Sequence, residues 1–245
     1  MKKNILLILF LLLFLMPADV IAQKAVPILV YHSIAEYKGQ GSKELFVAPE
    51  NFEKQIRYLK DQGFTLLSFE RWNEIGRVSK PVFITFDDGY KNVETAFAIF
   101  RKLSDDKFQP VGTIFAISDF VGRPNRLLKT DLKRMADSGY FSIQSHTATH
   151  PDLTKLTDFL SELKGSKDKI EKITGKPVIA LSYPYGNFNA RVVAETKKYY
   201  QFGITTTPGP YIEKGLENEL YLIPRTYVKY STTLTDFAKI VGVSQ

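Results

Sequence analysis

The sequence predicts an α/β fold: a distorted (β/α) barrel of about seven parallel strands, forming a single domain. Three observations carry this expectation. Short apolar runs alternate with amphipathic stretches of helical period, with no repeat, low-complexity tract or linker after residue 23. Unusual polar clusters follow directly on four of the apolar runs, where the strand ends of a parallel barrel share one rim. The chain has 245 residues, 44% of them hydrophobic, enough for one sizeable core.

At the N-terminus, Lys2 and Lys3 precede an apolar run from Ile5 to Met16 that is too short to span a bilayer comfortably. Val20-Ile21-Ala22 then offers small residues before Gln23. This is the layout of a secretory signal peptide over residues 1–22, leaving one folded domain over residues 23–245. The expectation is an exported protein, periplasmic or secreted, with no membrane span after cleavage. The chain has no Cys, so its stability must come from the core alone. Net charge is +7, and loss of Lys2, Lys3 and Asp19 leaves +6. That balance suits anionic envelope surfaces. Export and the lack of a basic stripe interleaved with aromatics argue against nucleic acid. A barrel of this size buries its own core, so a monomer is expected.

Ala25–Tyr31 reads as the first buried strand. Pro49–Gln62 reads as a helix with Phe52, Ile56 and Leu59 on one face, ended by Gly63. Strands follow at Val82–Phe86, Val111–Ile117, Tyr140–Gln144, Val178–Leu181 and Phe202–Thr205, with a last strand at Tyr221–Ile223. Helices are expected at Asn92–Leu103, Leu128–Ala136, Thr154–Ile173 with a break near Gly165, Ala190–Tyr199 and Thr233–Val241. The Lys-rich stretch Lys155–Lys176 has apolar residues at near-helical spacing and reads as a solvated helix face.

The polar clusters sit after these strands. His32 follows the first, Asp87-Asp88 the second, His146 the fourth, and Tyr183-Pro184-Tyr185-Gly186 the fifth. Two of the three His form His146-Thr147-Ala148-Thr149-His150, and a spacing of four brings both imidazoles to one side of a turn. One carboxylate and two imidazoles leave open positions on a divalent ion, as a catalytic zinc site requires. The adjacent Asp pair allows a division of labour, one binding metal and the other accepting a proton from water. The ion lowers that water's pKa towards neutrality, to about 7 in favourable cases.

Thr85-Phe86-Asp87-Asp88-Gly89-Tyr90 and Ser145-His146-Thr147-Ala148-Thr149-His150-Pro151 resemble the first two motifs of the polysaccharide deacetylases, carbohydrate esterase family four or the nodulation protein B homology domain. The resemblance runs from Val26 to about Arg225. It implies that Asp87 is the general base and that Asp88, His146 and His150 hold a divalent metal, usually zinc. It further implies that Tyr183-Pro184-Tyr185-Gly186 is the third motif, lining the substrate groove, with the Tyr185 N–H stabilising the oxyanion.

There are departures from the pattern. Ser182 stands where the third motif often has an Arg that orients the base, and Arg225 is the candidate to supply that guanidinium from another strand. No His follows His150 and the only Trp is Trp72, so the late general-acid His and the fourth-motif Trp are absent. His32 is the remaining candidate acid. An apolar strand ending in Tyr-His is similar to the poly-N-acetylglucosamine deacetylase branch. The implied substrate is a polymer of N-acetylglucosamine, with an exopolysaccharide first and peptidoglycan second. A glycan-binding pseudoenzyme is the reading from another class.

Overall fold

The computed structural model describes residues 24–242; the predicted signal peptide lies outside the described residues. The strands are β1 (Ile28–Tyr31), β2 (Ser33–Ile34), β3 (Phe46–Val47), β4 (Thr65–Leu66), β5 (Pro81–Phe86), β6 (Gly112–Ala116), β7 (Phe141–Ser145), β8 (Ala180–Ser182), β9 (Phe202–Ile204) and β10 (Thr226–Tyr227). The helices are α1 (Pro49–Asp61), α2 (Val93–Leu103), α3 (Lys129–Asp137), α4 (Ser166–Thr174), α5 (Ala190–Thr196) and α6 (Leu234–Ile240). The main sheet runs β10-β1-β5-β6-β7-β8-β9, with β4 paired to the start of β5. Every pairing within it is parallel. Ile223 makes a parallel bridge to Ile204 at the far edge, while Thr226 and Tyr227 pair with Leu29 and Val30. Residues 223–227 therefore tie the two edges together and curl the sheet into the expected distorted barrel. Among the described residues, no helix is long and apolar enough to cross a membrane.

Period-2 alternation sorts the strand side chains into two layers. Leu29, Tyr31, Val82, Ile84, Phe86, Ile114, Phe141 and Leu181 face the helices and form the larger core with Phe52, Phe97, Phe100, Leu132 and Ile170. Ile28, Phe83, Phe115, Ala180, Phe202 and Ile204 belong to a separate inner cluster. There Phe69 and Trp72 pack against Phe83 and Phe202 with ring centroids 5.0–5.5 Å apart, plugging the lower barrel. Continuing the alternation of β5 brings Thr85 and then Asp87 onto this inward side. That register, rather than loop flexibility, aims Asp87 into the upper barrel.

Gln144 repairs the weakest seam. β7 and β8 share one register pair, Ser145 with Leu181, and the buried Gln144 Oε1 accepts the N–H groups of Ile179 and Ala180 at 2.7 and 2.8 Å. Its side chain replaces ladder bonds the diverging strands cannot make.

Several expectations need correction. The first strand begins at Ile28; Val26 instead bridges Tyr211 in antiparallel sense. The last strand is Thr226–Tyr227, and Tyr221 closes a short 3-10 turn. The expected helix over Thr154–Ile173 is broken up. Asp152 accepts both the N–H and the hydroxyl of Thr154 and starts a 3-10 turn, then a wide π turn spans Ser161–Gly165 before α4 begins. The small β2–β3 pair and β4 are too short to show a period in sequence.

Candidate active site

Asp87 and Asp88 follow β5, and His146 follows β7, all at the C-terminal rim. The Tyr31–Phe86 register and the bond from the Asp87 N–H to Tyr31 O, 3.0 Å, place the next residue of β1, His32, beside Asp87. Asp87 is 2% exposed and Arg225 is fully buried. The Arg225 fork donates to both Asp87 oxygens at 2.7 Å. Its other N–H groups reach Thr205 O at 3.0 Å, Thr85 Oγ1 at 3.0 Å and Ser182 Oγ at 2.8 Å. All five guanidinium donors are thereby used, which fixes the plane of the carboxylate. Burial alone pushes the Asp87 carboxyl up. The charges of Arg225 and His146 and the Arg225 hydrogen bonds outweigh it and hold the group well below the usual carboxylate range. The guanidinium expected from Arg225 thus stands on Asp87, and Ser182, in the place of the usual Arg, joins the same network through its hydroxyl.

Asp88, His146 and His150 bring one donor atom each within 4.8 Å of one another. Asp88 Oδ1 lies 3.7 Å from His146 Nε2 and 3.8 Å from His150 Nε2. These separations are too long for hydrogen bonds. They are close to the roughly 3.4 Å that separates two ligands of one tetrahedral ion with ~2.0–2.1 Å bonds. His146 Nδ1 lies 2.8 Å from the Ser182 carbonyl, so Nδ1 donates and Nε2 presents its lone pair to the cluster. Burial, and then His146, push His150 down to about 4, which keeps its imidazole neutral as ligation demands. The donor set fits a divalent ion.

The backbone is strained at this cluster. Asp88, Thr147 and His150 have φ of 71°, 65° and 65°. The left-handed region costs about 1–2 kcal/mol for such residues, so the surrounding contacts must hold it. Arg126 Nη1 donates to Asp88 O at 2.9 Å, and the His150 N–H donates to Thr147 Oγ1 at 3.0 Å.

The four residues of the predicted groove motif separate. Tyr183 and Pro184 are buried, and the Tyr183 hydroxyl donates to Tyr221 O at 3.1 Å, so neither side chain lines a groove. Gly203 is required there, because a Cβ would stand 2.2 Å from that hydroxyl. Tyr185 is 64% exposed, with φ of 60° and its ring 4.7 Å from that of His150. Gly186 has φ of 72°, and a Cβ there would meet Thr206 Oγ1 at 2.0 Å. His32 stacks on Tyr227 with centroids 5.7 Å apart and planes 8° apart. Burial lowers its pKa below the ordinary imidazole value, opposed in part by Asp87 and Asp88.

Sequence reasoning missed three supports. Ser182 serves Asp87 and His146 at once. Thr85 Oγ1 donates to Leu29 O at 2.8 Å while accepting from Arg225. Glu162 bonds the His146–His150 loop. In the sequence Ser182 shows only as the residue in place of the usual Arg, Thr85 only as a polar residue in an apolar run, and Glu162 only as part of an amphipathic stretch.

The polysaccharide deacetylase family profile matches residues 76–202. No curated protein matches the chain. Among solved structures, BC0361, a polysaccharide deacetylase from Bacillus cereus, is 53% identical with a TM-score of 0.88, covering 89% of this chain and 69% of that one. The Streptococcus pyogenes deacetylase PplD, solved in complex with acetate, is 26% identical with a TM-score of 0.79, covering 89% and 99%. IcaB from Ammonifex degensii, 18% identical with a TM-score of 0.71 over 89% and 96%, shares the fold. With its two motifs gathered at one barrel rim, this chain belongs to the polysaccharide deacetylase family and is a hydrolytic N-deacetylase.

Proposed function

We propose that the protein is exported and removes N-acetyl groups from a polymer containing N-acetylglucosamine, using zinc at Asp88, His146 and His150. The supporting observation is the Asp87–Arg225 pair, buried beside a cluster of one carboxylate and two imidazoles at the C-terminal rim of the barrel. Asp88, His146 and His150 would hold a divalent ion, which would supply Lewis acidity to the amide carbonyl and to water.

The chain's own residues do the rest in this reading. Asp87 accepts a proton from the attacking water. Arg225 keeps its carboxylate ionised and aimed, at some cost in basicity. The water oxygen bonds to the acetyl carbon, and the Tyr185 N–H, held by its left-handed backbone, donates to the developing oxyanion. The C–N bond then breaks as His32 delivers a proton to the leaving nitrogen, giving a free amine and acetic acid, which ionises to acetate on release. Burial disfavours the protonated imidazole that this step needs, and the charges of Asp87 and Asp88 favour it. The proton taken from water balances the one the amine receives.

For the polymer, the Tyr31-His32 strand end favours an exopolysaccharide such as poly-N-acetylglucosamine. The basic balance, +6 for the chain from Gln23, favours anionic wall material and keeps peptidoglycan as the second reading. The test is acetate release by protein beginning at Gln23, with zinc added. Substrates are β-1,6- and β-1,4-linked N-acetylglucosamine oligomers and peptidoglycan. Release on one of them, abolished by chelator and by Asp87→Asn, is expected and names the polymer. Release that survives the chelator would remove the metal from the proposal.

A further inference from the structure

Glu162 is 8% exposed and pairs with no cation among the described residues. A carboxylate buried without a countercharge is costly unless its oxygens are filled by donors. Here all the donors come from one place. Oε2 accepts the N–H groups of Ala148 and Thr149 at 2.9 and 2.8 Å, and Oε1 accepts the Thr149 hydroxyl at 2.6 Å. Those residues lie midway between His146 and His150, in the loop where Thr147 and His150 take positive φ.

A second observation points the same way. Glu162 sits in the π turn Ser161–Gly165, and such wide turns inside helices recur at functional sites. Just beyond it, Ser166 Oγ donates to Thr147 O at 2.9 Å and lies 2.9 Å from Ser145 Oγ. The turn and the first residue of α4 therefore grip the loop along its length. Two of the three bonds to Glu162 are to backbone N–H groups, which fix main-chain direction more tightly than side-chain contacts do.

We propose that Glu162 is a positioning residue that sets the separation and aim of His146 and His150 for the ion. This rests on the reading of Asp88, His146 and His150 as a metal site. It acts through the backbone, touching neither ion nor substrate.

The experiment is zinc affinity by competition with a chromogenic chelator, on the metal-stripped full chain. It is paired with amide exchange at Ala148 and Thr149. Glu162→Ala is expected to weaken zinc about 10–100-fold, the usual cost of losing a group that orients a ligand, and to speed exchange at both amides. Glu162→Gln should recover most of the affinity, because its amide oxygen accepts both N–H groups and its NH2 donates to Thr149 Oγ1. If Glu162→Ala does not fold, Thr149→Val decides, since it removes one bond and should still weaken zinc several-fold. Wild-type affinity in a folded Glu162→Ala, or in Thr149→Val, overturns the inference. Failure of the wild type to bind zinc, or of His150→Ala to weaken it, overturns the metal reading and this inference together.

Discussion

Replacing Arg225 with Ala strips the buried Asp87 of its guanidinium. Two 2.7 Å charge-assisted bonds vanish, and Thr205 O, Thr85 Oγ1 and Ser182 Oγ lose a donor. Breaking a buried ion pair from one side costs about 3–5 kcal/mol, because the other charge is left uncompensated. For a domain of this size that corresponds to a drop in Tm of roughly 6–20 °C. The pH dependence has a definite sign. The folded Asp87 pKa lies below its unfolded value, so the pair's contribution is complete above the unfolded carboxylate value and fades as pH falls towards the folded one. Once Arg225 is gone, burial is opposed only by the nearby imidazoles, and the carboxyl rises from its wild-type value. The gap in Tm between wild type and variant should therefore be widest near neutrality and narrow progressively as pH falls below about 4 towards the folded value. Turnover should suffer separately. A misaimed base should lower kcat by about 10²-fold or more while KM stays nearly constant. Arg225→Lys restores a charge but not the planar fork, and should recover stability better than kcat. Thermal unfolding across pH and steady-state acetate release provide the measurements. A variant with wild-type Tm at neutral pH and wild-type kcat would refute the reasoning.

His32→Ala should abolish most turnover at neutral pH. The wild-type rate should fall as pH rises through a pKa below 6.5, because the protonated imidazole is needed and burial lowers its pKa. If the variant keeps that alkaline limb, or most of the rate, His32 is only a partner of the Tyr227 ring. Gly203→Ala places a methyl 2.2 Å from the Tyr183 hydroxyl and 2.8 Å from Tyr221 O. It should cost about 1–3 kcal/mol of stability by overpacking, read as a lowered urea midpoint, whereas an unchanged midpoint would mean that Tyr183 can leave its slot.

Much of this site could be read from the chain because strand ends in a parallel barrel are addresses. Once Val82–Phe86 was a strand, Asp87 and Asp88 had to lie on the rim, and the same logic placed His32 and His146 there. Arg225 was reachable only as a replacement for an absent Arg, since nothing local in Pro224-Arg225-Thr226 announces a partner 138 positions away. Glu162 was invisible for a different reason. It lies in a stretch whose Lys and Leu spacing reads as an ordinary amphipathic surface helix. A π turn, which has no sequence signature of its own, rotates it inward. The groove motif does not act as a unit. The strand period assigns Tyr183 to the core, and the motif's exposed chemistry begins only at Tyr185. The last strand was misplaced because Leu222 and Ile223 carry the apolar signal while the pairing residues, Thr226 and Tyr227, are half-buried.

The seam at residues 223–227 sets the order in which competence is acquired. Ile223 docks on one edge of the sheet, Thr226 docks on the other, and Arg225 stands between them. The segment comes after every other strand in the chain, so a nascent polypeptide can own the motifs of β5 and β7 and still lack an aimed base. Closure of the barrel and arming of Asp87 are then one event. Opening of the seam in the folded protein would draw Arg225 away from Asp87 and so take the aim from the base.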